Sequence, residues 1–179
     1  MSRIYEICAD EAWTHSSNPQ NRYWCFFGGV FGLESDLGKI ETRLRDKLAQ
    51  TSYRREVKWA NVSAADLPTY INLVDEFFQC LEDYPVVYRQ IFLDRSFVYV
   101  PESTEENRTD LDVQYRICYQ FLKHAFGIKH LPRANNSFDQ IYIRLDSHSS
   151  QEHTESLKQF SQDLPKNLGR TDLVVDVSL

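Results

Sequence analysis

The chain has 179 residues and a net charge of −6, with 42% hydrophobic and 26% charged residues. This length suits one domain that buries a continuous apolar core, and this composition excludes wholesale disorder. The acidic balance argues against a protein that coats nucleic acid by whole-surface attraction, because that mode depends on many Lys and Arg contacts to phosphates. We therefore predict a single globular domain over residues 1–179.

The cysteines and the apolar segments indicate where the protein resides. Its four cysteines are widely spaced and form no Cys-x-x-Cys pair, which predicts free thiols in a reducing compartment. The sequence contains no run of about 18 apolar residues, and its first residues lack the pattern of a signal peptide. We expect a cytoplasmic protein with no membrane segment.

The first part of the chain predicts a hairpin followed by a helix. Residues 3–9 combine β-branched and aromatic side chains and predict a strand that ends at Asp10. The aromatic run at 23–31 predicts a buried second strand, and its two glycines match no phosphate-binding loop. Apolar residues at helical spacing then predict a helix that begins at Ser35 or Asp36.

The middle of the chain predicts a second helix and a third strand. Ser63 and Asp66 resemble a capping box, with Asp in place of Glu, that opens a helix to about Leu81. Residues 86–94 then predict a strand that ends at Asp94.

The last part continues the alternation of strands and helices. Residues 101–110 are polar and predict an exposed loop, and residues 110–126 predict a helix. A short strand at 140–146 ends in another aspartate, Asp146. A polar helix and a final strand are predicted at 151–160 and 173–177. This order of elements predicts an α/β fold.

Two of the aspartates that end strands suggest a metal site. In an α/β sheet, ligands gather outside the carboxyl ends of the strands, so Asp10 and Asp146 are expected to converge there. Clustered carboxylates repel one another unless a cation neutralises them, and carboxylate oxygens suit Mg²⁺ or Mn²⁺. Such ions can promote phosphodiester cleavage. Taken singly, each aspartate is more typical of a turn or a cap than of a metal site.

The span from Lys39 to Lys58 is basic within an acidic chain. It holds seven basic residues and three acids, which gives a local charge of +4. The span predicts either a patch that contacts nucleic-acid phosphates or a solvated helix face with i, i+4 ion pairs.

Four short motifs occur in an order that resembles a known family. They are the strand ending in ADE, the strand FFGGVF, the segment EVKW and the strand ending in RLD. Together they are similar to the domain of unknown function 3800 family, whose members are thought to be ribonuclease H-like nucleases. The resemblance covers nearly the whole chain and implies a ribonuclease H-like mixed central sheet flanked by helices.

The resemblance also implies which residues form the site. Asp10, Glu11, Glu56 and Asp146 would hold Mg²⁺ or Mn²⁺, and Lys58 would lie near a substrate phosphate or a carboxylate. The implied activity is a divalent-metal-dependent nuclease in a bacterial phage-defence or mobile-element setting.

The sequence departs from the family pattern at two places. Ala12 and Trp13 replace an expected Ser-Gly pair, and the sequence ends at VVDVSL, where a helix with the last acid would begin. A catalytically reduced protein, a shortened chain and a site completed by another chain all stay open. In the last case a protein partner or a second copy would bind at the C-terminal end.

Two alternatives stay open as well. Asp146, His148, Glu152 and His153 form a compact set of possible zinc ligands, although their spacing matches no established zinc pattern. The alternative function is a noncatalytic binding or regulatory module that pairs with another protein chain.

Overall fold

The computed structural model describes residues 2–14, 24–58, 62–94, 110–133, 137–145 and 151–178. The chain divides into two compact units, one of Met1–Phe31 with Tyr88–Leu179 and one of Gly32–Val87. The assignment of residues 1–179 to one domain stays a prediction. No helix in the described part of the chain is both long enough and apolar enough to cross a membrane.

Five strands form one mixed sheet in the order β3-β2-β1-β4-β5. Strand β1 runs parallel to β4 from the pair Ile4 and Gln140 to the pair Ala9 and Leu145, and β4 runs parallel to β5. The predicted α/β class with a mixed central sheet and flanking helices is confirmed, and it is consistent with a ribonuclease H-like sheet. The strands are β1 (Ile4–Thr14), β2 (Trp24–Leu33), β3 (Val87–Asp94), β4 (Asp139–Leu145) and β5 (Leu173–Ser178).

Five α-helices and one 3₁₀ turn complete the described elements. In the first unit, α3 packs on α4, and both α4 and α5 contact β5. In the second unit, α1 packs on α2. The helices are α1 (Glu34–Ala49), α2 (Leu67–Asp83), α3 (Asp110–His124), α4 (Gln151–Gln162) and α5 (Leu164–Asn167), with the 3₁₀ turn at Ile128–His130.

The three parallel strands have one buried and one partly exposed face. Because side chains alternate along a strand, one face of β1, β4 and β5 carries the core of the first unit. That core includes Ile7, Ile141, Ile143, Val175 and Val177, all of which are buried. The opposite face carries polar residues, among them Glu6, Cys8, Asp10, Tyr142, Arg144 and Asp176.

Three predicted boundaries are wrong. Strand β1 continues through Asp10 and Glu11 to Thr14, because a strand ends where its neighbours stop supplying hydrogen bonds and β1 lies between two neighbours. Helix α1 begins at Glu34, and its N-cap is Leu33 without a side-chain hydrogen bond. The Ser63 and Asp66 side chains do bond to each other, at 2.6 Å, but within a turn that precedes α2.

Gly29 marks a close approach within the first unit. A Cβ atom at this position would lie 3.0 Å from Cβ of Ala9, 3.0 Å from Cζ of Phe126 and 3.1 Å from the carbonyl oxygen of Cys8. Since backbone and core atoms surround the position, the added methyl group must displace them. Gly29 thus lets β2 lie close to the strand that carries Asp10.

We expect Gly29→Ala to lower the free energy of unfolding by about 1–2 kcal/mol, because overpacking a filled core forces its neighbours apart. Gly38→Ala is the matched control: Gly38 lies in α1, and no atom comes within 4 Å of a Cβ there. That change should stabilise by up to about 1 kcal/mol through helix propensity. Urea unfolding of both variants measures the difference, and equal effects would contradict the packing argument.

Candidate functional site

Asp10 lies where the described pairing of β1 with β4 ends. Ala9 is the register partner of Leu145, and Asp10 and Asp146 are the residues that follow these two in the sequence. Asp10 is exposed and shares a sheet face with Glu6 and Cys8. The prediction that β1 ends at Asp10 is wrong, because β1 continues to Thr14, and the role of Asp10 in a metal site stays a prediction.

Several predicted ligands fall outside the described part of the chain. Asp146 follows the last residue of β4 and is not among the described residues, and Glu11 is described only as part of β1, without its side chain. Their roles stay predictions. The alternative zinc set of Asp146, His148, Glu152 and His153 lies outside the described side chains as well.

A buried carboxylate on the same sheet face as Asp10 was not anticipated from the sequence. Glu6 is 5% exposed, and one of its carboxylate oxygens forms an ion pair with the guanidinium of Arg144 on β4. The Cys8 thiol lies 3.7 Å from that oxygen. Register pairs Arg144 with Cys8, so the ion pair runs diagonally across the two strands. Glu6 within the apolar stretch Ile4–Ala9 was the only sequence signal for this pair.

This ion pair limits what the sheet face can bind. Buried carboxylates are stable only when they are paired, and Arg144 already neutralises Glu6. Glu6 is therefore assigned to the support of the strands rather than to a ligand set. Asp10 is the carboxylate of the described part of β1 that is exposed to solvent.

Glu56 and Lys58 lie in the segment between α1 and α2, in the second unit. Two buried tyrosines hold their backbone: the hydroxyls of Tyr53 and Tyr70 lie 2.9 Å from the carbonyl oxygens of Glu56 and Lys58, respectively. Both side chains point into solvent and form an ion pair at 3.1 Å. Their place in one site with Asp10 stays a prediction.

Most basic residues of the span form ion pairs with carboxylates of the same unit. Six of its seven cations form ion pairs with carboxylates, while Arg54 donates to the carbonyl oxygens of Thr51 and Tyr53. Four of those carboxylates come from outside the span, which equals the excess of +4 read from the sequence. On α1, Lys39–Asp36 and Arg45–Glu41 are pairs at i, i+3 and i, i+4, as expected of an ion-paired helix face, and contact of the span with nucleic acid stays a prediction. The pairs are Lys39–Asp36, Arg43–Glu76, Arg43–Asp83, Arg45–Glu41, Lys47–Glu76, Arg55–Asp66 and Lys58–Glu56.

Arg43 is the centre of this ion-pair network. Its guanidinium donates to Glu76 and Asp83, and these hydrogen bonds hold the pKa of each carboxyl below its ordinary value. Both acids therefore stay ionised at neutral pH and tie α1 to α2. A phosphate that bound Arg43 would have to displace them.

A second cluster lies at the amino ends of β1, β4 and β5. Asp139, fully buried, accepts hydrogen bonds from the backbone and the side chain of Arg3. Arg170, also buried, forms a bidentate pair with Asp172, with both distances 2.8 Å. Sequence reasoning missed this cluster, and no spacing rule connects residues 3 and 139.

The described residues contain no group of three or more His, Cys, Asp or Glu side chains placed to hold a metal ion. The carboxylate of Asp10 has the donor chemistry that Mg²⁺ or Mn²⁺ prefers, and the remaining predicted ligands lie outside the description or in the second unit. In comparisons with known proteins, no family model matches the chain and no curated protein matches it significantly.

Proposed function

We propose that the protein is a divalent-metal-dependent nuclease with a ribonuclease H-like fold. The observation that carries the proposal is the parallel register of β1 and β4, which runs to the pair Ala9 and Leu145. In the sequence the residue after each of these two is an aspartate, and ligands of α/β sheets gather at the carboxyl ends of parallel strands.

Two carboxylates at one such end favour a bound cation. Their mutual repulsion is relieved when a hard divalent ion lies between them, and carboxylate oxygens are the ligands that Mg²⁺ and Mn²⁺ accept. When bound, such an ion lowers the pKa of a water molecule and stabilises the leaving oxygen of a phosphodiester. In this proposal Asp10 and Asp146 hold the ion.

In this proposal the bound metal ion supplies most of the attraction for nucleic acid. Because the basic span is ion-paired within its own unit, it adds little uncompensated positive charge for phosphate contacts. Nucleic-acid binding should therefore depend more on the presence of the metal ion than on the salt concentration. The resemblance to the domain of unknown function 3800 family supports the reaction class and the bacterial defence or mobile-element setting.

The test is a cleavage assay on labelled single-stranded and double-stranded DNA and RNA, with Mn²⁺ or Mg²⁺ and with a chelator as the blank. Asp10→Asn and Asp146→Asn should each lower the rate by at least about 10–100-fold, the loss typical of residues that only support metal ligands, since each replaces a charged ligand with a neutral amide. Asp176→Asn is the matched control, because Asp176 is an exposed acid on the same face of the neighbouring strand β5. It should leave the rate unchanged.

Two results would contradict the nuclease. One is a folded, unaltered chain that cleaves none of the four substrates with either metal, and the other is full activity in the Asp10 and Asp146 variants. In the first case the noncatalytic binding module becomes the better account. Circular dichroism spectra of all variants establish that a lost activity does not reflect a lost fold.

A further inference from the structure

Helix α2 carries apolar side chains on a surface that solvent reaches. Four residues are half-exposed, with exposed fractions from 41% to 52%, and they recur at spacings of four, three and four residues. This spacing places them on one face of the helix. They are Leu67, Ile71, Val74 and Phe78, here called the α2 stripe.

The α2 stripe is separate from the face that α2 buries. Tyr70 and Cys80 are the buried residues of the helix, and Glu76 and Asp83 bind Arg43 of α1. By helical geometry the stripe lies on the side of α2 opposite Glu76 and Asp83, so the apolar surface of α2 is wider than its own unit covers. Contiguous exposed apolar patches of this kind mark interaction sites in soluble proteins.

The charges beside the stripe restrict what can cover it. Residues 67–83 contain four acids and no Lys or Arg. Arg43 neutralises Glu76 and Asp83, whereas Asp75 and Glu82 are exposed at the border of the stripe. Among the described residues, neither of these two acids has a cation within ion-pair distance. The stripe therefore has a negative border.

We propose that the α2 stripe docks an amphipathic helix of another protein, with apolar residues at i, i+4 and i+7 flanked by Lys or Arg. Apolar anchors at these spacings are the general mode by which helices bind grooves and helix faces, and opposite charges at the border favour the complex. This inference rests on the second unit alone, so it stands whether or not the protein is a nuclease.

The negative border disfavours the other occupants. A symmetric contact between two copies would bring the same acidic border onto both sides, where like charges repel. Anionic membrane surfaces and nucleic acid would meet the same repulsion. A cationic helix gains from both the apolar stripe and its border.

The test uses a fluorescent peptide of roughly 18 residues, with Leu at the three anchor positions and Lys beside them, and a second peptide with Glu in place of Lys. The full chain should bind the Lys peptide saturably in an anisotropy titration and should bind the Glu peptide at least tenfold more weakly. Equal affinity for the two peptides, or no saturable binding, would overturn the proposal.

Two variants locate the binding surface. Ile71→Ser with Val74→Ser should weaken binding of the Lys peptide at least tenfold, and Asp75→Lys with Glu82→Lys should shift the preference toward the Glu peptide. All four positions are exposed, so the fold should tolerate the changes, which circular dichroism checks. Matched changes on the exposed face of α1, at Glu41 and Arg45, should leave binding unchanged.

Light scattering and vesicle sedimentation test two other possible occupants of the stripe, a second copy of the chain and a membrane surface. We expect a concentration-independent mass and no binding to phosphatidylserine vesicles. A dimer that Ile71→Ser with Val74→Ser abolishes would overturn the proposal in favour of a second copy. Vesicle binding with the same sensitivity would overturn it in favour of a membrane surface.

Discussion

Replacing Arg170 with methionine should lower the free energy of unfolding by about 3–5 kcal/mol, the cost of removing one partner of a buried ion pair. The guanidinium is 2% exposed and binds Asp172 through two hydrogen bonds of 2.8 Å. It also donates to the carbonyl oxygens of Ile128 and Leu131, at 3.0 and 2.9 Å. Methionine fills similar space but removes these hydrogen bonds, although the carbonyl oxygen of Ile128 keeps the backbone amide of Leu131 as a donor at 3.2 Å.

Arg133→Met is the control for this prediction, because Arg133 is exposed. It should change stability by no more than about 0.5 kcal/mol, as surface substitutions usually do. Urea unfolding monitored by tyrosine and tryptophan fluorescence gives both values. A decrease in the free energy of unfolding of less than about 1 kcal/mol for Arg170→Met would contradict the prediction and mean that the carbonyl oxygens find other donors.

Asp139→Asn should cost about 2–4 kcal/mol at neutral pH, somewhat less than the Arg170 change, because Arg3 keeps part of its side chain in solvent. The Asp139 carboxylate is fully buried and accepts from Arg3 N at 2.9 Å and from Arg3 Nε at 3.1 Å. An amide in its place turns an acceptor into a donor that faces the guanidinium.

The effect of Asp139→Asn on the free energy of unfolding should also depend on pH. Burial raises the pKa of the Asp139 carboxyl, but the hydrogen bonds and charge of Arg3 lower it by more, so the pKa lies below the ordinary 3.8. The unfolded chain therefore takes up this proton at a higher pH than the folded chain. Stability from this carboxylate is complete above the ordinary pKa and is lost as pH falls through the folded-state pKa.

Unfolding at a series of pH values tests that dependence. The difference in stability between the unaltered protein and Asp139→Asn should narrow from about pH 5 downward, because the carboxyl of the unfolded chain takes up its proton before that of the folded chain. Asp163→Asn, at an exposed acid without a side-chain cap hydrogen bond, serves as the control. A difference that stays constant down to pH 2 would show that the charge of Asp139 contributes nothing.

The cluster of Arg3, Asp139, Arg170 and Asp172 matters for the proposed site through strand register. It joins the amino ends of β1, β4 and β5, and the backbone amide of Gln140 donates to the carbonyl oxygen of Arg3 at 2.9 Å. A slip of one residue would turn every side chain to the other face of the sheet. The pairing of Ala9 with Leu145, on which the nuclease proposal rests, therefore depends on this end of the strands.

The candidate site was only partly accessible from residue patterns. Asp10 was singled out because an acid after the apolar stretch of residues 3–9 is visible locally, and its role in a site stays a prediction. The ion pair of Glu6 with Arg144 was missed, since it joins residues far apart in the chain that meet only when β1 lies beside β4. For the same reason, the sequence placed the end of β1 too early.

The sequence by itself determined the order of strands and helices and the α/β class, because hydrophobic periodicity and turn residues act over a few neighbouring positions. Only the tertiary structure decided the charge of the basic span, whose excess is balanced by Asp36, Asp66, Glu76 and Asp83 from outside it. It likewise decided that Leu67, Ile71 and Val74, an apolar pattern typical of a core, lie half in solvent. Charge balance and burial depend on which segments meet in space, and local patterns carry no record of that.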